Sequence, residues 1–383
     1  MQQEHQELLR SKAELMMLYE ISNAMRTTLK LDQILFIILT GVTSHEGLGF
    51  NRAMLFLTYQ EGKILEGKMG LGPDTAEEAD KIWKHIEREK MTLEDLIDEY
   101  DKWKDNPSRL DDIVNSIKIP LRENAGVLAM TALEGMSFEI TTHEARLRAK
   151  DSIIDQLKAE YFVTVPLMAK NKVIGVIMAD NIVTKKPITK DDVRVLTMFA
   201  NQAGLAIENS ILYEQTLTMS QMDSQTGLWN HGYFHDIMTE KLAEAAEHKK
   251  YLSLLMMDID NFKHYNDAVG HQAGDGVIKE LAKILKQNSR ADDIVCRYGG
   301  EEFSVVLLDT DKEQAVKQAE RLRQAIYNFD FPKKEIQPSK YISVSIGVSC
   351  YPFDAKGKDE LIYKADANLY EAKRAGKNRI FAG

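Results

Sequence analysis

Cysteine is almost absent: Cys296 and Cys350 are the only two in 383 residues. That scarcity excludes a disulfide scaffold and a zinc site built from cysteine alone, and it fits a reducing cytosol. Long hydrophobic runs are also missing. The most apolar stretch, Leu31 to Val42, falls far short of the ~20 residues a membrane-spanning helix needs, so no membrane partner is expected. The first dozen residues, MQQEHQELLRSK, are polar and charged, and no signal peptide is expected there. Positive charge is in deficit. Lys and Arg number 49 against 59 Asp and Glu, a formal charge of −10. Such a chain has no overall field that attracts nucleic acid. An anionic nucleotide can still bind through local donors or a metal.

What is present points to folded domains. Apolar residues make up 44% of the chain, enough for a sizeable core and too many for a disordered chain. At roughly 150 residues per domain, the length suggests two domains or three. Residues 1–29 are expected to hold an N-terminal helix. Leu15, Leu18, Ser22, Met25 and Leu29 follow 3-4 spacing, a stripe that suits either its own domain or a partner helix in a dimer. Residues 30–189 mix helix and strand. AMLFLTY (Ala53–Tyr59) and Lys63–Met69 read as strands around Gln60-Glu61-Gly62, and Phe162–Leu167 pairs with Val173–Ala179 across Lys170-Asn171-Lys172. The histidines of this region, His45, His85 and His143, are isolated. A lone histidine is ordinarily a surface or satisfied residue.

Residues 190–220 read as one long helix with no internal proline. Thr189 is placed as N-cap, with Asp191 and Asp192 in the first turn. Val193, Leu196, Ala200, Ala203, Ile207, Ser210, Glu214 and Leu217 form a heptad-like stripe, which predicts a coiled-coil connector. Residues 221–383 carry sharper punctuation. The apolar run Leu252–Met257 ends abruptly in Asp258-Ile259-Asp260. Carboxylates at a strand end are hard oxygen ligands suited to Mg²⁺, although a strand simply entering a polar loop would look the same. Arg297-Tyr298-Gly299-Gly300-Glu301-Glu302-Phe303 lies between two β-like runs and reads as a tight hairpin whose glycines admit positive φ. Together the two acidic clusters could converge on one metal.

Two resemblances emerge from these motifs. VPLMAKNKVIGVIMADN (Val165–Asn181), followed by DDVRVLTMFANQAGLAIEN, resembles a GAF sensor domain, which implies an antiparallel sheet with flanking helices. The family binds varied small molecules or none, so the GAF ligand stays unknown. The region has no Asn-Lys-Phe-Asp-Glu signature of cyclic-nucleotide binding, and it has no cysteine for a thioether-linked bilin. The second half resembles the GGDEF family of diguanylate cyclases. The carrying motifs are DSQTGLWNHGYF (Asp223–Phe234), DIDNFKHYNDAVGHQAGD (Asp258–Asp275), RADDIVCRYGGEEF (Arg290–Phe303), VSIGV (Val344–Val348) and ADANLYEAKRAGKNRI from Ala365, in the family's order. That resemblance implies a palm-like α/β fold and condensation of two GTP into cyclic di-GMP, a bacterial second messenger, in the cytoplasm.

Residue by residue, the resemblance implies that Asp258, Glu301 and the Ile259 carbonyl hold Mg²⁺, with Mn²⁺ as an alternative. It makes Glu301 and Lys263 catalytic, Lys263 by stabilising charge on the transferring phosphoryl group. It assigns Lys373 and Lys377 to the phosphates, where Lys377 lacks the fork of the arginine common in the family. Phe262, Asn266, His271 and Asp275 fall at the substrate. Asn266 and Asp275 match the guanine readers, since a carboxylate can accept from N1–H and N2–H, which adenine lacks. The other role open to Asp275 is capping a helix over 276–287. Arg290 and Asp293 stand at the offset of the family's inhibitory R-x-x-D site for cyclic di-GMP. His231 and Gly232 replace residues that are often basic in the family. One site holds one GTP, so a homodimer is expected. The alternative is an inactive GGDEF domain that serves as a receptor for cyclic di-GMP or GTP.

Overall fold

The protein is described by a computed structural model covering residue 16 and residues 19–45, 47–60, 62–89, 91–148 and 152–383. The helix expected over residues 5–29 therefore lies mainly outside the described residues. Its described part is helical over 19–24. The chain divides into two compact units, Met1–Gln215 and Thr216–Gly383. The architecture is mixed α/β, as the sequence leads one to expect. Among the described residues no helix is long and apolar enough to cross a membrane.

The first unit is built on a six-stranded sheet. Its strands are β1 (Arg52–Tyr59), β2 (Ile64–Leu71), β3 (Lys118–Pro120), β4 (Phe138–Ile140), β5 (Phe162–Ala169) and β6 (Lys172–Asp180). They lie in the order β3-β2-β1-β6-β5-β4, with antiparallel pairing throughout. AMLFL in β1 is apolar without alternation because both faces of the sheet are covered. Ala53, Leu55 and Leu57 pack with α1 (Leu31–Thr43) and α2 (Lys190–Gln221). Met54 and Phe56 pack on the other side with helices Arg109–Asn115 and Val127–Glu134. Successive side chains of a strand point to opposite faces, so one run feeds two cores.

Helix α2 begins where the sequence indicated. The Asp192 amide donates to Thr189 Oγ1 at 3.2 Å, and the Thr189 amide donates to Asp192 Oδ2 at 2.8 Å, a reciprocal cap. The stripe read as a coiled-coil seam has another use. Val193, Leu196, Ala200, Ala203 and Ile207 are buried in the first unit's own core, and Ser210 Oγ is buried against the Leu29 carbonyl at 2.7 Å. Beyond Ser210 the stripe comes to the surface at Leu217, and Met198, Leu205, Leu212, Tyr213 and Met219 are exposed as well, all between 42% and 76%. Met198, Leu205, Leu212 and Met219 recur every seven residues, which is one of the two apolar positions that a coiled-coil heptad uses.

The second unit holds β7 (Leu252–Ile259), β8 (Ile294–Arg297), β9 (Glu302–Leu308), β10 (Val344–Tyr351) and β11 (Ile380–Phe381) in the order β11-β10-β7-β9-β8. Here β7 is central and antiparallel to both β9 and β10. Leu255, Met257 and Ile259 face the core made with α4 (Phe262–Val269), α5 (His271–Gln287) and α6 (Lys312–Asn328). Leu252, Leu254 and Met256 face α3 (His231–Glu247) and α7 (Lys358–Arg374). Both cysteines are buried free thiols. Burial pushes the Cys296 thiol up to about 12, so it packs as an inert small hydrophobe.

Arg52 links the strands of the first sheet electrostatically. It is buried opposite Asp180 in the β1–β6 register, with Nη2 2.6 Å from Asp180 Oδ2 and 3.0 Å from the Leu157 carbonyl. Removing one partner of a buried pair strands the other charge at a cost of about 3–5 kcal/mol. Arg52→Ala is therefore expected to lower unfolding stability by about that amount, read in guanidinium denaturation of the full chain. A loss no larger than an exposed pair gives would contradict this account.

Candidate active site

A strand end and a tight turn meet at one place. Asp258 is the penultimate residue of β7 and lies opposite Glu302 in the β7–β9 register. The Ile259 amide donates to the Glu301 carbonyl at 3.3 Å, so the hairpin between β8 and β9 abuts the end of β7. Asp258 is buried, and its Oδ2 accepts from Lys373 Nζ at 2.8 Å. Burial raises the Asp258 carboxyl above its ordinary value, and the Lys373 ammonium opposes that. Burial also raises Glu301, reinforced by the negative charge of Asp258 and countered by Lys373. The Asp258 charge thus raises the cost of ionising Glu301, as that of Asp260 does for Asp258.

Asp260, two residues on, is spoken for. Ser343 Oγ and Ser345 Oγ donate to its carboxylate at 2.7 and 2.6 Å, and the Asn378 amide donates at 2.9 Å. Of the Asp258-Ile259-Asp260 cluster, only Asp258 is left with a lone ammonium partner. The chain then turns sharply at Asn261, whose φ of 57° lies in the left-handed region that asparagine tolerates better than most residues. Lys377 Nζ donates to Asn261 Oδ1. The two lysines assigned to phosphates thus both sit at the end of β7, held by Asp258 and Asn261.

The Gly299–Gly300 turn is clasped by a residue that the motif alone did not single out. Arg297 donates to the carbonyls of Gly299 and Gly300 at 3.1 and 2.8 Å. Its Nη1 also reaches Asp223 Oδ1 at 3.0 Å and Gln225 at 2.6 Å. Asp223 in turn accepts from the Thr226 amide at 2.9 Å. One guanidinium therefore fixes the turn carrying Glu301 and binds it to the DSQTGL segment 74 residues earlier. Opposite charges in the two motifs were the only sequence signal of this pairing.

Phe262 is buried at the start of α4, one residue before the exposed Lys263. Asn266 follows one turn later, and its Oδ1 is buried with no hydrogen-bond partner among the described residues. A Cβ at Gly274 would lie 1.8 Å from that oxygen, so any larger residue there would displace the Asn266 carboxamide. A buried acceptor left unpaired costs free energy unless a ligand supplies its donor. His271 and Asp275 are both exposed on α5. Because α5 starts at His271, Asp275 lies in its second turn. The N-cap role considered for Asp275 is overturned, since Gly270 holds that position.

Arg290 and Asp293 stand elsewhere in the unit. The Arg290 amide donates to Asp293 Oδ2 at 2.7 Å, and both line a cavity of about 250 Å³ with Gln314, Lys317 and Arg321. Burial raises the Asp293 carboxyl. Arg321 is an addition from the structure: it lies 31 residues beyond Arg290, too far for a local motif to reveal.

Residues 220–379 match the family model described as diguanylate cyclase, GGDEF domain, and residues 30–207 match that of the GAF domain. Diguanylate cyclase A of Treponema denticola is 39% identical over 230 residues, 58% of this chain and 59% of that protein. The response regulator PleD of Caulobacter vibrioides is 35% identical over 167 residues, 44% of this chain and 37% of that protein. The chain thus spans well under two thirds of the length of these curated relatives. Among solved structures, the GGDEF domain of DgcB from Caulobacter crescentus in complex with c-di-GMP is 31% identical, covers 42% of this chain and 95% of that one, and gives a TM-score of 0.40.

The raised Glu301 carboxyl has a definite sign in stability. The folded state holds the proton more tightly than the unfolded state, so this group's contribution is most favourable at low pH. It turns unfavourable as pH rises past the ordinary carboxylate value towards the folded one. Glu301→Gln removes that penalty. Without nucleotide or divalent metal, the variant is expected to melt above the wild type at pH 7.5 and level with it at pH 4. An equal offset at both pH values would refute the charge explanation.

Proposed function

The chain carries a GGDEF domain over residues 220–379 behind a GAF domain over residues 30–207, and on that premise we propose that it is a diguanylate cyclase making cyclic di-GMP from two GTP. The observation that carries the proposal is the meeting of Asp258 and Glu301 at the end of β7, with Lys373 2.8 Å from Asp258. Two carboxylates and the Ile259 carbonyl form a hard oxygen set. Magnesium typically takes one or two protein carboxylates and completes its shell with phosphate and water. When bound, Mg²⁺ or Mn²⁺ would neutralise charge on the triphosphate.

The chain's own residues do the rest. Lys373 and Lys377 are single ammonium groups that can leave Asp258 and Asn261 for phosphate oxygens. The exposed Lys263 supplies a fixed cation for charge developing on the α-phosphate. Asn266 Oδ1, buried and without a partner, accepts from a guanine N–H, and Asp275 accepts from the same edge. In each half-reaction a ribose 3′-hydroxyl loses its proton, its oxygen bonds the α-phosphorus of the other GTP, and pyrophosphate leaves. Both halves are needed, so two copies must face each other. The heptad row Met198, Leu205, Leu212 and Met219 is the seam proposed for that pairing, under control of the GAF domain. Cyclic di-GMP at the cavity of Arg290, Asp293 and Arg321 would provide feedback inhibition.

Three measurements follow. Purified protein given Mg²⁺ with GTP, ATP or both is expected to yield cyclic di-GMP from GTP alone, resolved by chromatography. Lys263→Ala should lower turnover by about 10²–10³-fold, the usual loss when a charge-stabilising group is removed. Absence of product once bound inhibitor is removed would favour the receptor reading. Arg290→Ala should retain synthesis and lose inhibition by added cyclic di-GMP. Unchanged inhibition would sink the feedback assignment.

A further inference from the structure

Two histidines remain outside everything assigned so far. His231 opens α3 and His235 stands one turn later on the same face, the spacing that brings side chains together on a helix. Their Nε2 atoms are 3.3 Å apart and share a hydrogen bond, one ring donating to the other. Two nitrogens bound to a tetrahedral zinc at about 2.0–2.1 Å lie about 3.3 Å from each other. The pair is therefore set at the separation of two adjacent vertices of a zinc tetrahedron. His231 is exposed and His235 half-buried, so an ion can reach both.

The surroundings suit a cation. Asp236 and Asp359 place negative charge near His235. Lys358, the nearby cation, is engaged with Thr239 Oγ1 at 2.9 Å and the His235 carbonyl at 3.4 Å. The rings also lie against Tyr298, with centroids 4.7 and 6.1 Å away. Tyr298 leads directly into the Gly299–Gly300 turn, and its amide donates to Glu302 at 2.8 Å.

We propose that His231 and His235 form a two-histidine transition-metal site on α3, beside the turn that carries Glu301. Its ligands select Zn²⁺, Ni²⁺ or Cu²⁺ over Mg²⁺, since imidazole suits the former and carboxylate the latter. The 3.3 Å separation favours tetrahedral zinc. Water completes the shell. An ion bridging the two rings pins the first turn of α3 against the ring of Tyr298, so the site reports on the hairpin without belonging to the magnesium site.

The test uses the full chain without nucleotide, with excess Mg²⁺ to keep zinc from the carboxylates. Zinc binding is followed by calorimetry in the wild type, His231→Gln and His235→Gln, with circular dichroism checking each fold. The wild type is expected to bind one Zn²⁺ per chain that each variant binds about tenfold or more weakly. Co²⁺ in place of zinc should give intense visible bands of tetrahedral nitrogen ligation in the wild type that fade in both variants. Equal zinc affinity and equal Co²⁺ spectra across the three proteins would overturn the proposal. A loss confined to one variant would also overturn it, because the bridging geometry needs both rings.

Discussion

A buried carboxylate has to be satisfied, and the second unit is arranged around doing that twice at the end of β7. Asp260 receives two serine hydroxyls from β10 and the amide of Asn378. Those three donors draw the start of β10 and the segment before β11 onto the central strand. Asp258 receives only Lys373. The asymmetry separates the two acids: one closes the structure, and the other is left with a partner that a ligand can displace. With the shell of Asp260 complete, a polyanion bound here would meet Asp258, Glu301 and the lysines.

The hairpin shows a similar economy. Glycines at 299 and 300 let the turn form, but they do not hold it. Arg297 does, by donating to both glycine carbonyls while anchored on Asp223. A guanidinium presents five donors in a rigid fork, which suits it to clasp two carbonyls and a carboxylate at once. Lysine at this position could not span them. Glu301 is thus presented from a turn held by side-chain bonds.

Much of this was legible in the sequence because the signals were local. LSLLMM ending in Asp258 marked a buried strand and its polar end, and Thr189 with Asp192 marked a helix start. What the sequence hid was mostly non-local. Asp223 and Arg297 meet across 74 residues, and Arg321 joins the cavity of Arg290 across 31. Helix α5 was missed by one turn because Gly274 and Gly276 argue against a helix on propensity. Packing overrides them: glycine at 274 makes room for Asn266, and the helix runs through it. Spacing and composition alone could not separate Asp258 from Asp260, since both are acids beside one strand end; only the family resemblance pointed to Asp258.

The long helix α2 shows how one periodicity can be read correctly and assigned to the wrong partner. A 3-4 spacing says that a face is buried and is silent on what buries it. The first unit's sheet takes the row from Val193 to Ile207. The row Met198, Leu205, Leu212, Met219 stays exposed, and it repeats every seven residues without exception. In a straight α-helix such a row drifts by about 20° per heptad. Across three heptads it would wander off a straight neighbour. Continuous burial of all four side chains against another helix therefore requires a left-handed supercoil.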